Sequence, residues 1–206
     1  MESITYLVIA LVAYLVGSIP FGYLIAKANG IDIRQHGSGN IGATNVLRTL
    51  GKKWGITCFA CDFLKGLFSV WIALGLSGGS SFAGIIGAVA CIIGHSFPIW
   101  LKFKGGKGVA TSGGALFALL PVTALLLLVV WAIVFYATRY VSLASIAVAV
   151  ALPIIVLISW LTGMGADFPL FLFALIVGTL VVWRHRSNIS RLMNGTENRF
   201  ERKKKE

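Results

Sequence analysis

Acidic side chains are scarce in this chain: seven Asp and Glu stand against 18 Lys and Arg among 206 residues. So few carboxylates are too few to hold divalent metals in the usual oxygen-rich way. No HExxH and no His/Cys/carboxylate set with metal-ligand spacing occurs. The expected chemistry therefore uses neither a metal nor another cofactor. Cysteine is rarer still. Of the three, Cys58 and Cys61 have CxxC spacing, but they lie in an apolar run without a second Cys or His pair. They read as small buried hydrophobes rather than a redox or zinc pair. The GxxxxGK[ST] form of nucleotide-hydrolysing loops is missing, because Gly108 follows Lys107. No Ser-His-Asp order and no internal repeat is visible.

Apolar residues, by contrast, make up 57% of the chain. They gather in six runs: 4–26, 54–76, 82–101, 115–138, 141–161 and 168–183. Most approach or exceed the ~20 apolar residues needed to cross a bilayer. The expected fold class is an all-α polytopic membrane protein, with residues 1–206 as a single domain and no room for a separate soluble one. Glu2 precedes the first run and Lys27 follows it. This does not resemble a cleavable signal, and it places the N-terminus outside.

Three basic clusters belong on the cytoplasmic side. They are Arg34, Arg48, Lys52 and Lys53; then Lys102, Lys104 and Lys107; then the tail from Arg184 to Lys205. An outside N-terminus and a cytoplasmic C-terminus require an odd number of crossings, so one of the six runs fails to cross. Pro121 breaks 115–138 and Pro153 breaks 141–161. Arg139 arbitrates, because it lands inside only if the first of these dips in and out. The expectation is five full transmembrane helices plus a short helical hairpin broken near Pro121, seven helices in all. Residues 199–206 are a charge run, expected as a solvated tail near anionic headgroups.

Three polar stretches fall on the cytoplasmic side of this topology. In the first, Gly37, Gly39 and Gly42 permit close backbone approach, while Ser38, Asn40, Thr44 and Asn45 supply hydrogen-bonding groups. If Ala43 opens a helix, Thr44 and Asn45 lie one turn before Arg48, whose planar fork suits a phosphate. The second is the basic loop Gly105-Gly-Lys-Gly108, leading to Thr111. Its glycines can form a backbone nest for an anion, Lys107 adds a full charge, and a helix beginning at Val109 presents a positive N-terminus. In the third, His185, Asn188 and Arg191 recur every third residue and form one stripe on a helix.

Asp62 and Lys65 lie inside the second run at i,i+3 spacing, as a structural ion pair or a pair lining the site. His95 reads as a residue bonding within the bundle. Ser142 and Ser145 join the cytoplasmic face in the hairpin topology and could donate to a phosphate. The sum is phosphate-binding chemistry at a membrane edge. A transporter or flippase for a phosphorylated small molecule is the alternative. It would be expected to show repeated halves and sites near mid-bilayer.

These stretches resemble the signatures of the bacterial acyl-phosphate:glycerol-3-phosphate acyltransferases, the PlsY family. The similarity includes Gly37-Ser-Gly-Asn-Ile-Gly-Ala-Thr-Asn45 with Arg48, Gly105-Gly-Lys-Gly-Val-Ala-Thr111, and His185, Asn188-Ile189, Arg191-Leu192 with Gly195-Thr-Glu197. Gly17-Ser-Ile-Pro-Phe-Gly22, Gly94-His-Ser-Phe-Pro98 and Arg139-Tyr-Val-Ser142 look like the family too.

The resemblance implies transfer of an acyl group from a fatty acyl phosphate to the sn-1 hydroxyl of glycerol 3-phosphate. The products would be lysophosphatidate and phosphate, in the first acylation of bacterial phospholipid synthesis at the inner membrane. The partners would be these substrates and membrane lipid, with no nucleic acid, acyl carrier protein or coenzyme A. Two anion cradles are then expected, Arg48 with Ser38 and Lys107 with its glycines, assisted by Lys65, Ser142 and Arg191. His185 and Asn188 would position glycerol 3-phosphate, and Ser38 would orient the reacting groups. His185 or a substrate phosphate would take the proton.

Overall fold

A computed structural model describes residues 2–201. The expectation for residues 202–206, as part of a tail near headgroups, lies outside the described residues. All regular structure among the described residues is helical. The chain forms two compact units, Met1–Pro121 and Val122–Glu206.

The first unit begins with α1 (Glu2–Ser18) and α2 (Phe21–Ala28). Pro20 separates them, since proline lacks an N–H and pushes the residue before it out of the helical region. A 3₁₀ turn at Ile33–Gln35 and the short α3 (Ala43–Leu50) follow. The φ of +88° at Gly51 turns the chain into α4 (Lys52–Leu76). Next come α5 (Ser81–Ser96), a 3₁₀ turn at Ile99–Leu101, and α6 (Val109–Leu119).

Small residues let these helices touch backbone to backbone, the packing favoured where lipid removes the hydrophobic drive between helices. A Cβ on Gly17 of α1 would lie 2.1 Å from Cys91 O of α5, and one on Gly94 would lie 2.3 Å from Tyr14 O. In the same way Gly66 of α4 faces Thr111 O, and Gly114 of α6 faces Phe63 O. This second crossing fixes α6, and with it the loop that precedes α6.

The second unit contains α7 (Pro121–Thr138, its first residue at the boundary), α8 (Val141–Leu161), α9 (Phe168–Arg184) and α10 (Arg186–Met193). Asp167 caps α9 by accepting from Leu170 N. The helix α7 leaves Val122, Leu125, Leu126, Leu128, Val129 and Ile133 exposed. Such a surface is an aggregation hazard in water and an ordinary one in lipid.

Ten α-helices appear among the described residues, not the expected seven. Pro20 divides the first span, α3 forms inside the first polar loop, and the chain bends by 55° at His185 to continue as α10. The break near Pro121 is present, but the short arm starts at Val109 rather than Ala115. Its 11 residues rise only ~16 Å, about half the hydrocarbon thickness.

Among the described residues five segments are long and apolar enough to cross a membrane: Glu2–Ala28, Lys52–Leu76, Ser81–Leu101, Pro121–Thr138 and Val141–Leu161. The segment after Pro121 is therefore a potential crossing in its own right. Phe168–Arg184 qualifies only when joined to Arg186–Met193.

Candidate active site

In the first unit, the stretch from Asp32 to Arg48 is built around one side chain. Asn45, in the first turn of α3, is 3% exposed. Its Nδ2 donates to Asn40 O at 2.8 Å and His36 O at 3.0 Å, with Ile33 O at 3.4 Å. Its Oδ1 accepts from Ser38 N at 2.9 Å. Asn45 therefore holds the loop in shape, and its polar atoms are committed within it. The φ of +59° at Gly37 lets the chain pass so close that a Cβ there would lie 2.2 Å from Asn45 Oδ1.

Asn40 Oδ1 accepts from Gly42 N at 2.9 Å and so leads the chain into α3. Ser38 and Arg48 are exposed, and Thr44 stands one turn before Arg48 on α3. At the foot of the loop, Arg34 donates to both carboxylate oxygens of Asp32. The hydrogen bond from the Arg34 side chain holds the Asp32 carboxyl down at about 2, against the opposing effect of burial.

The second polar stretch follows the end of α5. Lys102 and Phe103 both have positive φ, 51° and 60°, which folds the basic turn back on itself. Gly105 N then donates to Ser96 O at 3.2 Å, and Gly106 N donates to His95 O at 3.1 Å. These two N–H groups are thus docked on the end of α5 and do not form the nest that the sequence suggested. The turn that opens α6 lies two residues later. Gly108, with φ +82°, caps α6, whose first helical bond runs from Ser112 N to Gly108 O at 2.7 Å. The N–H groups of Val109, Ala110 and Thr111 have no partner within the helix by its geometry, and they carry the positive end of its dipole. Lys107 stands half-buried beside them, while the Thr111 and Ser112 side chains are buried.

Lys65 is not on this surface. Its buried Nζ is 2.9 Å from Asp62 Oδ1 and donates to Ile19 O at 2.9 Å.

In the second unit, His185 sits at the bend between α9 and α10 and is buried. Its Nδ1 lies 2.7 Å from Val181 O. A carbonyl only accepts, so Nδ1 carries the hydrogen, and in the neutral ring Nε2 holds the lone pair. Asn188 and Arg191 follow on α10, on the face that meets Glu197. Asn188 Nδ2 donates to Glu197 Oε1 at 2.8 Å, and Arg191 Nε donates to Oε2 at 2.8 Å. Ser142 Oγ, at the start of α8, donates to Oε1 at 2.9 Å. Three of the expected substrate ligands therefore meet at a buried carboxylate. Burial opposes ionisation there, but the three donors outweigh it and hold the Glu197 carboxyl below its ordinary value.

Glu197 stands in the Gly195-Thr-Glu197 signature but is not among the expected site residues. The signal was present in its rarity, as one of seven acids in a strongly basic chain. No cluster of three or more His, Cys, Asp and Glu among the described residues could hold a metal.

Apolar spans, backbone-to-backbone helix crossings and loops rich in basic and glycine residues define a multi-pass integral membrane protein. Its family follows from comparison with known proteins: the glycerol-3-phosphate acyltransferase family matches residues 7–195, and the chain belongs to it as an acyltransferase. The glycerol-3-phosphate acyltransferase of Desulforamulus reducens is 46% identical over 206 residues, covering 99% of this chain and 100% of the relative. That of Aquifex aeolicus is 44% identical over 194 residues, covering 94% and 98%. Among solved structures, PlsY (YgiH), an integral membrane glycerol 3-phosphate acyltransferase, is similar in its glycerol 3-phosphate form. The TM-score is 0.88 at 44% identity, covering 95% of this chain and 96% of that one. Its lysophosphatidic acid form gives 0.85 at 43% identity, covering 95% of each.

Proposed function

We propose that this chain transfers the acyl group of a fatty acyl phosphate to the sn-1 hydroxyl of glycerol 3-phosphate, giving lysophosphatidate and inorganic phosphate. The observation that carries the reading is the likeness, at TM-score 0.88 and 44% identity, to an acyltransferase structure in its glycerol 3-phosphate form. The family match runs from residue 7 to 195, across both compact units, which supports one acyltransferase domain over 1–206. No nucleic acid, acyl carrier protein or coenzyme A takes part.

In this reading Lys107 and the first turn of α6 hold a phosphate, and Arg48 on α3 with the Ser38 loop holds another. The sn-1 oxygen attacks the acyl carbonyl carbon. A carbon–oxygen bond forms, the bond from that carbon to the phosphate oxygen breaks, and phosphate departs with the bonding electrons. The hydroxyl proton goes to His185 Nε2 or to a substrate phosphate. An acyl phosphate is already activated, so no covalent acyl-enzyme is needed. Donors aimed at the developing oxyanion lower the barrier.

The membrane setting is the bacterial inner membrane, with the N-terminus outside and all three polar stretches cytoplasmic. The hairpin topology brings Arg139 inside, in keeping with the positive-inside bias.

The test uses the purified full-length protein in detergent. Phosphate release from palmitoyl phosphate should require glycerol 3-phosphate and should match lysophosphatidate formed. Palmitoyl-CoA should not substitute. Lys107→Met removes one charge-assisted contact worth about 2 kcal/mol, so kcat/KM for glycerol 3-phosphate should fall about 30-fold. Turnover with palmitoyl-CoA, or phosphate release independent of glycerol 3-phosphate, would overturn the donor assignment.

A further inference from the structure

Behind the glycine loop lies a buried charged cluster that the reaction scheme does not use. Asp62 of α4 has its Oδ1 2.9 Å from Lys65 Nζ and 3.5 Å from His95 Nδ1, at the end of α5. All three side chains are 5% exposed or less. Lys65 also donates to Ile19 O, at the break between α1 and α2, and lies over the Phe21 ring at 5.5 Å. Cys58 Sγ approaches Asp62 Oδ2 at 3.7 Å. Charges buried at membrane depth are costly, and an ion pair is a poor way to gain stability where apolar residues would serve.

The cluster touches the loop in two ways. The His95 and Ser96 carbonyls accept from Gly106 N and Gly105 N. The His95 ring also lies flush against Gly106: a Cβ there would be 2.1 Å from Nε2 and 2.8 Å from Cε1. Lys107 is the next residue.

From these contacts we propose that His95, held by the Asp62–Lys65 pair, is the positioning residue of the glycine loop. Its ring and carbonyl set the backbone at Gly105 and Gly106. They thereby set where Lys107 and the start of α6 meet the phosphate of glycerol 3-phosphate. The inference rests on the reading that this loop holds that phosphate. It assigns a purpose to the buried charges: the Asp62 carboxylate, itself paired with Lys65, lies against the ring on which Gly106 packs.

The experiment measures steady-state kinetics and thermal unfolding of the detergent-purified full-length protein. Its variants are Asp62→Asn, His95→Asn, Gly106→Ala, the His95→Asn/Gly106→Ala pair, and Lys107→Met as the direct loop variant. Asp62→Asn and His95→Asn should raise KM for glycerol 3-phosphate about tenfold, as expected for a binding group moved by a fraction of an ångström. Their kcat at saturation and their KM for palmitoyl phosphate should stay near those of the parent. The double variant should have a KM no higher than the worse single one, because both changes break the same contact.

If Lys107→Met raises KM while folded Asp62→Asn and His95→Asn keep the parent value, the positioning role is overturned and the loop reading stands. If Lys107→Met keeps the parent KM, the loop reading fails and the inference goes with it. If Asp62→Asn does not fold, the His95/Gly106 cycle decides. Multiplying KM effects would overturn the contact, and a shared effect would uphold it.

Discussion

Replacing Glu197 with alanine should reduce kcat/KM for glycerol 3-phosphate by about 100-fold or more and lower the temperature of unfolding. The expectation follows from what the carboxylate holds. Removing it strands Ser142 Oγ and Asn188 Nδ2, both buried, at about 1–3 kcal/mol each. Arg191 loses its partner too, but it is part-exposed and can hydrate, so it adds little. With three donors released, α8, α10 and the 196–200 segment lose their common anchor, and Asn188 loses its orientation. Glu197→Gln keeps an acceptor for Ser142 and Asn188 but sets an amide against Arg191, so it should fall between alanine and the parent.

The pH dependence has a definite sign. The folded-state carboxyl is held below its ordinary 4.5. Its contribution to stability is therefore complete above that unfolded value and is lost as the pH falls through the lower folded-state value. Thermal unfolding followed from pH 7 to pH 3 should show a loss in the parent that Glu197→Gln lacks. Parent-like turnover in Glu197→Ala, or superimposable pH profiles, would remove the anchor role.

The second large effect is expected from Asn45→Asp, a change of one atom. Asn45 Nδ2 points at backbone carbonyls of Asn40, His36 and Ile33. In aspartate that nitrogen becomes an oxygen, an acceptor facing three acceptors, on a buried and now charged group. The cost is about 3–5 kcal/mol if the loop keeps its shape, so the loop will open instead. Ser38, Gly37 and the start of α3 move with it. Acyl transfer should drop at least 100-fold through lost presentation of Arg48 and Ser38. Asn45→Ala only deletes the donors, so it should be milder. Equal activity in the two variants would show that the loop keeps its form without this side chain.

Much of this protein could be read along the chain. Apolar runs mark spans because nothing in hydrocarbon competes with water for charged groups, so composition alone places the segments. Proline marks the break at Pro121 and glycine the start of α6 at Gly108, because those residues act on their own backbone, whereas Pro20 divides a run expected as one span and Pro153, expected to break its run, lies inside the continuous α8. The polar stretches were also legible, since unburied Asn, Ser, Arg and Lys between apolar runs need a purpose. What the sequence did not show was the protein partners of these groups. Asn45, Asn188, Arg191 and Ser142 all looked like substrate ligands. The structure gives them protein partners, and Glu197, passed over as part of a basic tail, meets three of them. The glycine N–H groups at 105 and 106 likewise found carbonyls of α5 rather than an open nest.

The chain by itself therefore determined a multi-pass helical membrane protein with basic, glycine-rich loops, because hydrophobic length, backbone freedom and side-chain charge are local properties. Only the tertiary structure decided which donors are committed inside the protein and which backbone faces outward. It also decided that Asp62, His95 and Gly106 form one contact. Hydrogen-bond partners far apart in sequence are chosen by helix crossings, and close packing at glycines such as Gly17, Gly66, Gly94 and Gly114 sets those crossings.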